Sequence, residues 1–214
     1  MNNSVTYIGE NGKKQTHTLT EAESREALSN DYEELLRIYN PKMVEITRRK
    51  AEEGEALHLE ITVQAPSHYL SSKDDTDPKP CDSMKVEVIC YPGYPLKAAR
   101  AEYAADRYLV SPNVFTSGKA CIGTWVPLKS SLLTVVQKLV MDIIHNPDVT
   151  RYDSLANHNP TICEWHKEGV RTGRFPTLKP SLLYAPERAL PPRRRPACRN
   201  DSPPPMPPRN PIRR

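Results

Sequence analysis

The sequence predicts an α+β fold: one antiparallel sheet with helices against it, followed by a Pro/Arg-rich tail that does not join the core. Three observations predict it. A helix-period apolar stripe comes first, short alternating runs follow it, and two further helical segments close the ordered part. The prolines then mark the end of that part, since twelve of the 22 lie from Pro176 onward.

Residues 1–18 are polar and form an N-terminal extension. Within it VTYI and QTHTL flank Asn11-Gly12, the pattern of a small hairpin. Thr20 with Glu23 three residues on is a capping-box start. Leu28, Tyr32, Leu35, Leu36 and Tyr39 then recur at helical spacing until Asn40-Pro41 stops the run.

Met43–Arg49 and Ala56–Val63 read as a hairpin turning at Gly54, the second strand alternating Leu57, Leu59 and Ile61 with His58, Glu60 and Thr62. Residues 65–83 read as one long polar loop. Met84–Cys90 is a third strand, halted by Tyr91-Pro92-Gly93-Tyr94-Pro95, and Lys97–Ala105 a fourth. Residues 107–130 show no periodicity, and long irregular stretches inside a domain tend to carry function. Ser131–His145 is a strongly apolar helix ended by Asn146-Pro147, and a weaker helix runs from about Tyr152 to Gly169. The domain is expected over 19–169 and the tail over 170–214, where Pro, Arg and Ser from Phe175 onward bury too little apolar surface to offset chain entropy.

Residues 170–214 hold 11 Lys+Arg against 2 Asp+Glu, a balance of +9 in a chain of +4, so residues 1–169 carry −5. An acidic body with a basic tail is the result. The tail has almost no aromatic residues, so base-stacking recognition of nucleic acid is not expected. No run of about 20 apolar residues spans a membrane. The first residues lack the apolar core of a signal peptide, and five cysteines leave one unpaired; both point to free thiols in the cytoplasm. Cys90 ends an apolar strand and reads as core, and Cys198 as an incidental tail thiol. Cys163, His166 and Cys81 lack the paired CxxC spacing of a zinc site, so no metal is expected.

The irregular stretch carries a resemblance. It holds Ser111-Pro112-Asn113, then VFTSGKA with Gly118, then Cys121 eight residues after Asn113, then Trp125-Val126-Pro127. With YPGYP upstream and Asn-Pro closing the next helix, roughly residues 24–168 resemble ubiquitin-conjugating enzymes, in particular divergent and prokaryotic-type members. The resemblance implies a UBC-like fold with an N-terminal helix, a four-stranded antiparallel meander, an active-site loop and C-terminal helices. It departs at Ser111, where the family has a loop-bracing histidine, so a different brace is implied. Only Ile122-Gly123-Thr124 separate Cys121 from Trp125, so the loop past the nucleophile is short.

The implied activity is to accept a ubiquitin-like protein as a thioester on Cys121 from an activating enzyme and pass it to a target amine. A thiol suits this, because its thiolate attacks acyl groups and its thioester stays reactive toward amines. Asn113 donates to the developing oxyanion or pins the loop, and both roles stay open. An attacking lysine, with a free pKa of about 10.4, must lose its proton, and Asp148 is the candidate that assists, unless it is a loop acid or cap. Ser111, Pro112, Gly118 and Trp125 support the loop, Trp125 and Tyr91 by packing. The partners implied are a ubiquitin-like protein, an activating enzyme and a lysine-bearing target, with a ligase as an optional fourth. ATP is spent by the activating enzyme, so no cofactor is implied here. A non-catalytic module of the same fold and a cysteine hydrolase using His145 are the rival readings.

Overall fold

Thr20 forms the expected capping box: its hydroxyl accepts the Glu23 N–H at 3.2 Å and Glu23 accepts the Thr20 N–H at 2.8 Å. The first helix, α1 (Glu21–Ile38), follows from it. The computed structural model describes residues 3–8, 12–72, 74–75, 77–104, 106–115, 117–150, 152, 160–175 and 178–185. Before α1, β1 (Asn3–Ile8) and β2 (Lys14–Leu19) pair antiparallel as the predicted hairpin.

The remaining strands are β3 (Val44–Arg49), β4 (Leu57–Val63), β5 (Ser67–Leu70), β6 (Lys79–Cys81), β7 (Met84–Cys90), β8 (Arg100–Tyr103) and β9 (Tyr108–Leu109). A four-stranded antiparallel sheet runs β3-β4-β7-β8, with Leu59 opposite Val88 and Ile61 opposite Val86. The period of two sends Leu57, Leu59, Ile61 and Val63 to one buried face and leaves Glu60 and Lys85 to pair on the other. Two further α-helices follow among the described residues, α2 (Leu132–Ile143) and α3 (Pro160–Arg171), with short 3-10 turns at Pro147–Val149 and Pro180–Leu183. On α2, Leu132, Val136, Leu139, Val140 and Ile143 are fully buried in the same cluster as the sheet face. Each such side chain contributes about 1.5–3 kcal/mol on burial, which sets the sheet–helix layer as the core.

Three expectations are corrected. Residues 65–83 are not one loop: β5 pairs with β6 on one side and β9 on the other, making a second, three-stranded sheet. Ser67 and Leu70 are buried there, and the Ser67 hydroxyl donates to the Ile143 carbonyl at 2.8 Å, so polar composition hid a packed hairpin.

The last helix is described over Pro160–Arg171 and so runs past Gly169, while the expected start near Tyr152 falls against residues that are not described. A proline suits the first helical turn, where no N–H is needed. Residues 153–159 lie outside the described residues.

The tail boundary is also displaced. Phe175 is 1% exposed and Leu183 0%, and the Phe175 ring sits where a side chain at Gly169 would be, 2.3 Å from an ideal Cβ. Asn40 donates to the Leu183 carbonyl at 2.9 Å, Ala185 donates to Ile38 at 2.8 Å, and Tyr184 stacks on Tyr39. A few apolar anchors therefore bind Phe175 and residues 178–185 to the domain despite their surrounding composition. The rest of the expected tail, 186–214, lies outside the described residues. Among the described residues no helix is long and apolar enough to cross a membrane.

Candidate functional site

The stretch from Ser111 to Cys121 is a closed loop built by its own backbone. Val114 N–H donates to Ser111 at 3.1 Å, Phe115 to Lys119 at 2.8 Å, and Cys121 to the Asn113 carbonyl at 2.6 Å. Val114 and Ala120 form an isolated antiparallel bridge inside it. The outer strand of the sheet holds the loop: Ala120 donates to Ala101, and Tyr103 donates to Gly118. Gly118 has φ +84°, and a Cβ there would meet the Tyr103 carbonyl at 3.1 Å and the Tyr108 ring at 3.3 Å. That conformation and that approach both require glycine.

Cys121 is half-buried at the end of this loop, with a free thiol. Cys90 and Cys163 are buried, and desolvation pushes both thiols up, Cys90 to about 12. Cys81 is half-buried on β6, and burial raises its pKa too, with Arg107 acting against it. Among the described cysteines, then, Cys121 is the one that lies on an irregular loop, while Cys81, Cys90 and Cys163 lie on β6, β7 and α3.

Ser111 is 1% exposed, and its hydroxyl accepts the Asn113 N–H at 3.2 Å, a local brace inside the loop. Pro112 is buried between them. The Asn113 side chain donates to Asp142 Oδ1 at 2.6 Å and to the Val149 carbonyl at 3.3 Å. Both amide hydrogens are thus engaged in holding the loop against α2 and the segment after it.

Asp148 lies in a 3-10 turn (Pro147–Val149) capped by Asn146, whose side chain accepts the Asp148 N–H at 2.8 Å. The Asp148 side chain is exposed, and the Asn113–Val149 bond ties its turn to the Cys121 loop. On the other flank, Trp125 Nε1 donates to the Pro95 carbonyl at 2.9 Å and its ring leans on Tyr94. The Tyr94 hydroxyl bonds Asp31 on α1 and accepts the Leu132 N–H at 2.6 Å at the start of α2. The YPGYP turn therefore anchors the segment past Cys121.

Asp142 is the site residue that sequence reading missed. It is 2% exposed, bonded to Asn113 and, through its other oxygen, to Lys138 at 2.8 Å. Burial raises its carboxyl pKa, while Lys138 and Asn113 pull it back. The available signal was one acid three residues after Leu139 on the apolar side of α2, with a lysine four residues before it.

No family model matches the chain, and no curated protein matches it. Among solved structures it is similar to S. cerevisiae Ubc12, at 14% identity and a TM-score of 0.47, covering 76% of this chain and 84% of that chain. A TM-score below 0.5 leaves every residue role to be argued from this chain alone.

His145, the base of the hydrolase alternative, is committed elsewhere. It is fully buried, pairs with His166 at 3.1 Å and stacks on Phe175. Cys163 and His166 are buried in that region as well, and among the described residues no group of three or more His, Cys, Asp or Glu is placed to hold a metal ion.

Proposed function

We propose that the chain is a UBC-like carrier that takes a ubiquitin-like protein onto Cys121 and hands it to an amine. The observation that carries this reading is the Cys121 N–H bond to the Asn113 carbonyl at 2.6 Å. It gives the eight-residue interval between the two a physical meaning, because that interval is the loop that presents the thiol.

In the loading step the Cys121 thiolate attacks the thioester carbonyl on the activating enzyme. A new C–S bond forms, the old one breaks, and the departing thiolate recovers a proton. In the transfer step a neutral lysine amine attacks, the C–N bond forms, Cys121 leaves as thiolate and the amine's proton passes to solvent. Asp148, exposed in the turn that Asn113 ties to the loop, accepts the proton that the amine gives up and relays it to solvent. Asn113 shapes the loop. The partners are a ubiquitin-like protein, an adenylating enzyme and a lysine-bearing target, with a ligase optional, in a cytoplasm that keeps the thiol reduced. Cys121→Ser should trap a thiol-resistant oxyester and Cys121→Ala should take no modifier; normal loading of Cys121→Ala would end the assignment.

A second reading, a module of the same fold that binds without chemistry, is favoured by one fact. Both Asn113 amide hydrogens are already spent on Asp142 and Val149, leaving no donor for an oxyanion. Such a module would bind the ubiquitin-like protein equally well with Cys121→Ala and would form no thiol-labile adduct.

A further inference from the structure

Asp142 is costly where it stands. The residues around it on α2, Leu139, Val140, Met141 and Ile143, are buried and apolar, and the acid itself is 2% exposed. Taking a carboxylate out of water costs several kcal/mol even after relaxation, and a packed hydrophobe at such a position is commonly neutral or stabilising. Core stability therefore does not account for an acid here. Its two oxygens have separate partners: Oδ2 takes Lys138 at 2.8 Å, and Oδ1 takes the Asn113 side chain at 2.6 Å.

Asn113 is where three segments meet. Its side chain reaches Asp142 on α2 and the Val149 carbonyl in the turn that carries Asp148. Its backbone N–H goes to the Ser111 hydroxyl, and its carbonyl receives the Cys121 N–H. An asparagine amide can rotate among acceptors, and a buried carboxylate is the strongest acceptor on offer, since charge-assisted bonds are roughly twice as strong as neutral ones.

Resting on the carrier reading above, we propose that Asp142 is a positioning residue for the transfer step. Through Asn113 it fixes the Cys121 loop and the Asp148 turn in one relative geometry, so that thioester and incoming amine meet at a set angle. Lys138 neutralises the acid and holds it in the rotamer that faces Asn113. Asp142 touches neither the acyl group nor the amine. The loading step, which needs only an accessible thiol, is insensitive to it; the transfer step, which needs the thiol loop and the Asp148 turn together, is not.

The test loads the chain chemically, with a short glycine-ending peptide as its mercaptoethanesulfonate thioester, and follows discharge to free L-lysine by intact mass. Asp142→Leu should load at the wild-type rate and discharge on the order of 10-fold more slowly, the scale expected of a small misplacement. In an Asn113→Ala background, Asp142→Leu should add no further loss, because the two act as one unit. Asp142→Asn combined with Lys138→Gln restores an acceptor for Asn113 without the charge pair, and should recover most of the discharge rate. Independently of any chemistry, Asp142→Leu should shift the Asn113 side-chain amide resonances and speed exchange of the Cys121 amide hydrogen.

Wild-type discharge by Asp142→Leu, a loss that adds to that of Asn113→Ala, or no recovery in the Asp142→Asn/Lys138→Gln pair would each overturn the proposal. If the wild-type chain forms no thiol-labile adduct that Cys121→Ala abolishes, the carrier reading itself fails. Asp142 is then judged on the two spectroscopic readouts, and unchanged Asn113 and Cys121 signals would reject its positioning role.

Discussion

Cys121 and Asn113 are joined by a single backbone bond, the Cys121 N–H donating to the Asn113 carbonyl at 2.6 Å. That bond closes the loop at its two ends, while the Asn113 side chain fastens one end to α2 and to Val149. The thiol is thereby carried on a short structure with fixed ends rather than on a free segment.

Gly118 is the point at which that loop tolerates least change. Its φ of +84° and the Tyr103 carbonyl 3.1 Å from an ideal Cβ act together. Gly118→Ala should destabilise the fold by about 1–2 kcal/mol, the cost of a left-handed non-glycine residue, with the crowding added to it. Urea unfolding measures this directly; an unchanged midpoint would mean that the loop re-forms in another conformation.

Trp125→Phe keeps the ring against Tyr94 but removes the donor to Pro95. A loss of about 1 kcal/mol is expected, the net worth of one ordinary hydrogen bond. Faster exchange of amide hydrogens across residues 122–130, with α1 unaffected, would place the change in the segment past Cys121.

Phe175 fills the space between His68, His145 and Trp165, with ring centroids 4.3, 4.6 and 4.6 Å away. Phe175→Ala should cost about 3–5 kcal/mol in thermal or urea unfolding, the range for a buried aromatic truncated to alanine. A cost below about 1 kcal/mol, the level of an ordinary surface change, would show that the segment is only laid on the surface.

The same region makes stability depend on acid. Burial, then the neighbouring imidazoles, push His145 down to about 3, and burial and His68 push His166 down to about 4. Burial and Arg174 lower His68 as well, and the Tyr152 hydroxyl bonds His166. In the unfolded chain each histidine titrates near its free value of about 6.5. The folded rings therefore stay neutral where the unfolded ones bind protons. Their full contribution is present above about pH 6.5 and is lost as pH falls toward the folded values, by about 1.4 kcal/mol per pH unit for each proton taken up. His145→Asn, a residue type that accepts the positive φ at this position, should reduce the slope of unfolding free energy against pH by about one proton between pH 4 and 6.

The parts of the fold that were legible in the sequence are those with local causes. The capping box at Thr20, the alternation of Leu57, Leu59 and Ile61, and the apolar run of α2 each act within a few residues, so their pattern is their structure. The β5–β6 hairpin was not legible, because its pairing with β9 spans about forty residues and its composition is polar. Phe175 and Leu183 were hidden for a related reason: two apolar anchors in a Pro-rich stretch leave no period to detect. At the site, the spacing from Asn113 to Cys121 pointed to the loop, and the glycine at 118 to its turn. The brace did not show, since nothing local links Asn113 with an acid 29 residues away on a helix.

The measurement that bears most directly on the central claim is a loading assay with ATP, a candidate activating enzyme and its ubiquitin-like partner, read on a non-reducing gel with and without thiol. The carrier account predicts a band shifted by one modifier mass, removed by thiol, absent in Cys121→Ala and converted to a thiol-resistant band in Cys121→Ser. A band that persists in Cys121→Ala, or no band from an activating enzyme shown to be charged with the modifier and to bind this chain, would contradict it.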